Sequence, residues 1–292
     1  MRLQVRDGVH ERRARRWLAG AGALAASVAL ACAALAPGAA AQAQVQATVL
    51  ARGRTDLPGE ALLFKLNEVP LPAGEPTVAQ AHAWGFDYTV GGTEVLTAGG
   101  TPHVTPPGQA TWIGEQEEHT HAALAGAPLR FWVFAVRPAS TRGVPPTWPY
   151  PGARIRGESA DVRLGPAGAY DLVLSEVLLP AAGAAAGPLA RPGPVGVTVV
   201  AGDVWFGGQP VPTEDVVVQS PGDTRAFANA GPGPARLLVL AVTPAGAGPA
   251  QLPRTGAPTQ ALPLAVAATA AGLGGAGMAL RRVRRSSERP YR

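Results

Sequence analysis

The chain holds one cysteine in 292 residues, and that one, Cys32, lies in its first forty. Once a leader of that length is removed, no disulfide can staple the fold, and no cysteine remains to ligate a metal. Lysine is as scarce: Lys65 is the single lysine among 25 basic residues, a bias of codon composition that carries no mechanism. The sequence has no phosphate-binding glycine loop, no nucleophile elbow, no HExxH and no cysteine pair. Between residues 44 and 255 no long stretch has helical spacing. What remains must fold on an apolar core alone.

Positive charge is also missing where it would matter. The chain is formally +5, with a pI near 10.1. Twelve of the basic and three of the acidic residues lie in 1–43 and 256–292, leaving 44–255 with 13 basic and 17 acidic residues, a net −4. The basic pI belongs to the ends, so no nucleic-acid partner is expected.

Both ends read as addresses. Residues 1–16 carry six arginines, Trp17 to Ala36 is apolar, and Pro37 leads into Gly38-Ala39-Ala40-Ala41-Gln42-Ala43. That is the order of a secretory signal peptide over 1–43. At the other end come Leu252-Pro253-Arg254-Thr255-Gly256, 24 uncharged residues from Ala257 to Leu280, and Arg281-Arg282-Val283-Arg284-Arg285. The apolar run is long enough to cross a bilayer as a helix, and the arginines behind it stay on the cytoplasmic side. This tripartite tail resembles the LPxTG sorting signal of Gram-positive surface proteins. The resemblance implies cleavage between Thr255 and Gly256 by a sortase-type transpeptidase and attachment to the cell wall. The alternative is a permanent C-terminal membrane helix at 257–280 with a basic tail at 281–292.

The segment between contains a repeat. Leu66-Asn67-Glu68-Val69 matches Leu174-Ser175-Glu176-Val177. Tyr88 to Val95 matches Thr198 to Trp205, Pro107-Gly108-Gln109 matches Pro221-Gly222-Asp223, and Ala127 to Val136 matches Gly233 to Val242. The offset stays between 106 and 114, which describes a duplicated unit of domain size. Each copy reads as all-β, with short apolar or alternating segments punctuated by Gly-Gly, Pro-Gly and Gly-Pro. The expected division is a first barrel over 44–140, a Pro-rich linker over 141–157, a second barrel over 158–244 and a spacer over 245–256. Residues 181–187, cut by glycines, are expected to be loop.

The order of Leu71-Pro72-Ala73-Gly74, Phe86-Asp87-Tyr88-Thr89-Val90-Gly91-Gly92, Pro107-Gly108-Gln109 and Pro128-Leu129-Arg130-Phe131 resembles the cupin superfamily. The second copy repeats it through Leu179-Pro180-Ala181, Pro221-Gly222-Asp223 and Pro234-Ala235-Arg236-Leu237. The resemblance covers nearly all of 60–244 and implies two tandem double-stranded β-helix barrels of the jelly-roll class. It also implies a metal held by histidines and a glutamate. In the first copy His82 and His119 match, while Gly85 stands about where the glutamate is expected. The second copy has no histidine, and Thr224 stands in place of the later one.

His82, His119 and His121 are therefore the candidate ligands of a divalent transition metal (Fe, Mn, Zn or Cu) in the first barrel. On a strand, His119 and His121 share a face, and if that face is inward they meet His82 with Glu117 or Glu118 nearby. The competing view makes Glu115 to His121 a solvated loop with surface histidines; His103, beside Pro102, reads as a turn residue. The expected function is a secreted, surface-anchored protein binding a small molecule or a metal. A metal-dependent oxygenase or isomerase in the first barrel is one alternative, and a structural or adhesive surface module is another.

Overall fold

Short runs of Val, Leu, Phe and Trp between glycine and proline turns give strands. The computed structural model describes residues 44–74, 77–124, 127–148, 151–180, 182–189 and 192–247. In chain order the strands are β1 (Gln46–Leu57), β2 (Leu62–Leu71), β3 (Gly85–Gly91), β4 (Glu94–Ala98), β5 (Thr101–Thr105), β6 (Ala110–Ile113), β7 (His119–Ala123), β8 (Leu129–Pro138) and β9 (Arg154–Glu158). They continue as β10 (Gly168–Leu179), β11 (Ala185–Ala186), β12 (Val195–Ala201), β13 (Val204–Phe206), β14 (Gln209–Val211), β15 (Val217–Gln219), β16 (Phe227–Asn229) and β17 (Ala235–Pro244). A 3-10 turn at Ala139–Thr141 is the only helical element among the described residues, and no helix there is long and apolar enough to cross a membrane. The expected leader 1–43, the motif Leu252 to Gly256, the span 257–280 and the tail 281–292 lie outside the described residues.

The strands build two lobes of two sheets each. The first lobe has sheets ordered β6-β3-β8-β2-β9 and β5-β4-β7. The second has β15-β12-β17-β10-β1 and β14-β13-β16-β11. Apart from β11, the orders correspond strand for strand, so the duplication is written in the topology. Within each lobe the two sheets are separate ladders, so each lobe is an open sandwich rather than the closed barrel expected from the resemblance.

The lobes also exchange strands across the expected boundaries. β1, expected in the first barrel, pairs with β10 of the second lobe from Gln46↔Leu178 to Leu57↔Gly168. β9, which falls almost wholly in the expected linker, pairs with β2 of the first, as in Lys65↔Glu158. Each exchanged strand covers the edge that β2 or β10 would otherwise leave open. Two smaller differences follow from local pairing. Ala185–Ala186, expected in a loop, forms a short ladder with β16, and His103 stands exposed on β5 opposite Leu96 rather than in a turn.

The largest apolar cluster lies between lobes. Leu62, Phe64 and Leu66 of β2 and Trp132, Phe134 and Val136 of β8 pack with Leu172 and Leu174 of β10 and Leu238, Leu240 and Val242 of β17. Burial of each large side chain contributes about 1.5–3 kcal/mol before entropy is counted. A polar clasp adds to this seam. Arg236 donates to Glu176 Oε2 at 2.6 Å and to the Tyr88 hydroxyl at 2.7 Å, and burial pushes that phenol up to about 12.

Strand alternation turns the other positions inward. In the first lobe Leu129 and Phe131 face Val69 and Leu71. Lys65, Asn67, Asp87 and Thr89 share that inward parity. Ladder register places Val173, Ser175, Val197 and Val199 at the same points of the second lobe. Lys65 and Asp87 put ionisable groups in the first interior where the second has Val173 and Val197, and this contrast locates the site.

Candidate metal centre

Strand β7 sets two of the three histidines. It pairs with β4 as Ala98↔His119 and Leu96↔His121, so both rings leave the same face, and both residues are only 1% exposed. The loop before β3 is pinned to this strand. Gln80 and His119 exchange both backbone bonds at 2.9 Å, the Thr77 amide donates to the His121 carbonyl at 2.7 Å, and the His121 amide donates to Thr77 Oγ1 at 2.7 Å. His82, half-buried on that loop, is held from the other side by the Gln116 amide at 2.9 Å.

The result brings His82, His119 and His121 together. Ring centroids are 4.6 Å apart for His82 and His119 and 4.9 Å for His119 and His121, both edge to face. One ligand atom from each lies within 4.8 Å of the others. Glu115 to Glu118 are exposed, as a solvated loop would be, but the two histidines that follow are not.

The hydrogen bonds fix which nitrogens are left over. His82 Nδ1 donates to the Ala83 carbonyl at 2.8 Å, and His119 Nδ1 donates to the Glu117 carbonyl at 2.7 Å. A carbonyl only accepts, so the proton of each neutral ring sits on Nδ1. His121 Nδ1 donates to Glu94 Oε1 at 2.7 Å. The Nε2 atoms of His119 and His121 are buried without a hydrogen-bond partner. Burial pushes His119 down to about 4 and lowers His82, so both are neutral at physiological pH, as a metal ligand must be.

Two carboxyl groups behind His121 escaped the sequence reading. Glu94 is wholly buried and Asp87 is 1% exposed, its Oδ2 lying 3.7 Å from His121 Nδ1. Burial, with Glu94 nearby, raises Asp87 well above the ordinary carboxyl range. Asp87 Oδ1 and Oδ2 have no hydrogen-bond partner, and Asp87, Glu94 and His121 form a second compact donor group. Their signal was an acid inside an apolar alternation, Phe86-Asp87-Tyr88 and Glu94-Val95-Leu96. Glu117 acts through its backbone, while its carboxylate accepts from the Gly114 amide at 3.0 Å, and Glu118 is exposed.

Aromatic rings close the rest. Phe131 stacks on His121 at 4.9 Å with the planes 14° apart, and Trp148 meets the same ring edge-on at 5.3 Å. Trp148 comes from the Pro-rich stretch expected to be a bare linker.

The second lobe shows what the fold does without the site. The ladders place Val204 at the point of Glu94, Val197 at that of Asp87 and Phe227 at that of His121. Counting two residues back from Phe227, as His119 lies two before His121, gives Arg225 and not Thr224 as the counterpart of the later histidine. It pairs with Asp223 at 2.6 Å and lies over Phe206, while Phe206 and Phe227 stack at 4.4 Å.

No family model and no curated protein matches the chain. Among solved structures it is similar to the protein YhaK from Escherichia coli, at 12% identity over 66% of this chain and 94% of that one, with a TM-score of 0.43. It is similar to the bacterial pirin YhhW from Escherichia coli, described in complex with nickel(II), at 13% identity over 68% and 99%, with a TM-score of 0.44. A third similarity is to quercetin 2,3-dioxygenase from Acinetobacter baumannii, at 14% identity over 69% and 79%, with a TM-score of 0.38.

Proposed function

We propose that the first lobe is a cupin-type metal centre in a secreted, surface-anchored protein, with His82, His119 and His121 as its ligands and a small molecule as its partner. The observation that carries the reading is the state of the rings: each Nδ1 is committed as a donor, and two buried Nε2 atoms are left with no partner. A buried polar atom without a partner costs about 1–3 kcal/mol, so such a pair in one wall asks for an occupant. Three imidazoles and no thiolate suit a divalent first-row metal such as iron, nickel, copper or zinc.

A metal bound there would supply Lewis-acid or redox chemistry to the small molecule. The chain's own residues do the rest. Glu94 orients His121, and Phe131 and Trp148 cover the ring from water. The second lobe, with valines and phenylalanine at these points, serves as a structural partner. Delivery to the surface rests on the leader 1–43 and on Leu252 to Gly256, through a sortase-type transpeptidase and the cell wall.

Metal analysis of the purified protein tests the centre. The unaltered protein should carry or take up one equivalent, and His119→Ala should lose it. A metal-free protein that takes up no added divalent ion, and is unchanged by His119→Ala, sinks the reading.

A further inference from the structure

We infer that Glu94 is the positioning residue of this centre, an inference that rests on the metal-site reading above. It holds the proton of His121 on Nδ1 and keeps Nε2 open and basic. His82 and His119 give their Nδ1 protons to neutral carbonyls; among the three, His121 alone gives its proton to a carboxylate. A carboxylate acceptor is the stronger partner and raises the basicity of the opposite nitrogen.

The geometry is built for that role. Glu94 precedes by two residues Leu96, the cross-strand partner of His121, and so lies on the diagonal of the β4–β7 ladder. Its other oxygen accepts from Thr89 Oγ1 at 3.4 Å, which leaves Oε1 for the imidazole. The His121 ring is clamped by Phe131 on its face, and its backbone is tied to Thr77. Asp87 lies behind the pair, close to Nδ1 without bonding it. The molecule contains its own control, because the second lobe replaces both partners together: Val204 stands where Glu94 would and Phe227 where His121 would.

The experiment compares the full chain with its Glu94→Gln variant, an isosteric change that removes the charge. Zinc affinity is measured by competition with a chromophoric chelator. The imidazole tautomer of His121 is read from nitrogen-15 shifts in the metal-free protein. The expected result is a loss of about 10- to 100-fold in zinc affinity, the usual effect of removing such an outer partner. His121 should carry its single proton on Nδ1 in the unaltered protein and divide it between the Nδ1 and Nε2 tautomers in the variant. The same zinc affinity in Glu94→Gln, or an Nε2 proton on His121 in the unaltered protein, overturns the inference. If the unaltered protein binds no zinc or other divalent ion, the metal reading itself falls, which is a different result. Should Glu94→Gln not fold, the tautomer in the unaltered protein decides alone.

Discussion

Gly196 on β12 lies directly against Phe64 on β2, at the seam where the two large sheets meet. A Cβ on Gly196 would overlap Cγ and Cδ1 of that ring and come within 2.9 Å of its Cβ. The glycine therefore sets how closely the lobes approach. Its backbone is ordinary for a strand, so the effect of a substitution is steric.

Gly196→Ala should destabilise the protein by about 1–3 kcal/mol, the cost of overpacking a close-packed core. The double variant with Phe64→Leu should recover part of that loss, because the second change removes the atoms the methyl meets. Denaturant unfolding of the three variants measures the coupling. Strict additivity would mean that the seam relaxes elsewhere and that Phe64 is not the obstacle.

The chain's single lysine is not at the surface. Lys65 is 5% exposed, pairs with Glu158 at 2.8 Å and donates to the carbonyls of Thr141 and Val144 at 3.0 and 2.6 Å. Burial pushes Glu158 up, but the hydrogen bonds from Lys65 and the Gly143 amide outweigh it, so its folded pKa lies below the ordinary 4.5. A depressed carboxyl contributes stability that is present above pH 4.5 and lost as pH falls through its folded value. Glu158→Gln should therefore cost about 3 kcal/mol at pH 7, since it leaves a buried ammonium without its counter-ion. The gap to the unaltered protein should narrow as pH falls below the carboxylate range. A constant gap from pH 7 to pH 3 would show that the charge of Glu158 does not matter.

The repeat was readable because Leu66 to Val69 and Leu174 to Val177 occupy equivalent points of β2 and β10, but Pro107-Gly108-Gln109 precedes β6 whereas Pro221-Gly222-Asp223 follows its counterpart β15, so that match does not hold. The lobe boundary was not, because pairing is non-local: nothing in Gln46 to Leu57 says that its partner lies at Gly168 to Leu179. His119 and His121 were readable from i, i+2 spacing on a strand, although their burial was not. Asp87 and Glu94 were invisible as a pair, since they meet through His121 from a different strand. Trp148 was hidden by the prolines around it, whose spacing describes stiffness and not what the segment covers.

The sorting reading has its own test, independent of the fold. Thr255→Ala should leave full-length precursor in the membrane fraction and abolish wall attachment, because the acyl-transfer site is gone. Processing and attachment that continue unchanged would mean that Leu252 to Gly256 is not a sorting signal.

The ligand histidines should separate by what each holds besides a metal. His82 is half-buried on a loop and bonds only its neighbour's carbonyl, so His82→Ala should abolish stoichiometric zinc uptake. It should change the stability of the metal-free protein by less than about 1 kcal/mol. His121 is fully enclosed and is the partner of buried Glu94, so His121→Ala should remove zinc as well. It should also cost about 3 kcal/mol, because it leaves a carboxylate unpaired in the core. Adding Glu94→Leu to His121→Ala should restore part of the loss, since the second lobe is built with Val204 and Phe227 at the same points. Metal-free denaturant unfolding checks all three. Equal costs for His82→Ala and His121→Ala would show that Glu94 does not depend on His121, and would remove the ground on which the carboxylate is assigned its role.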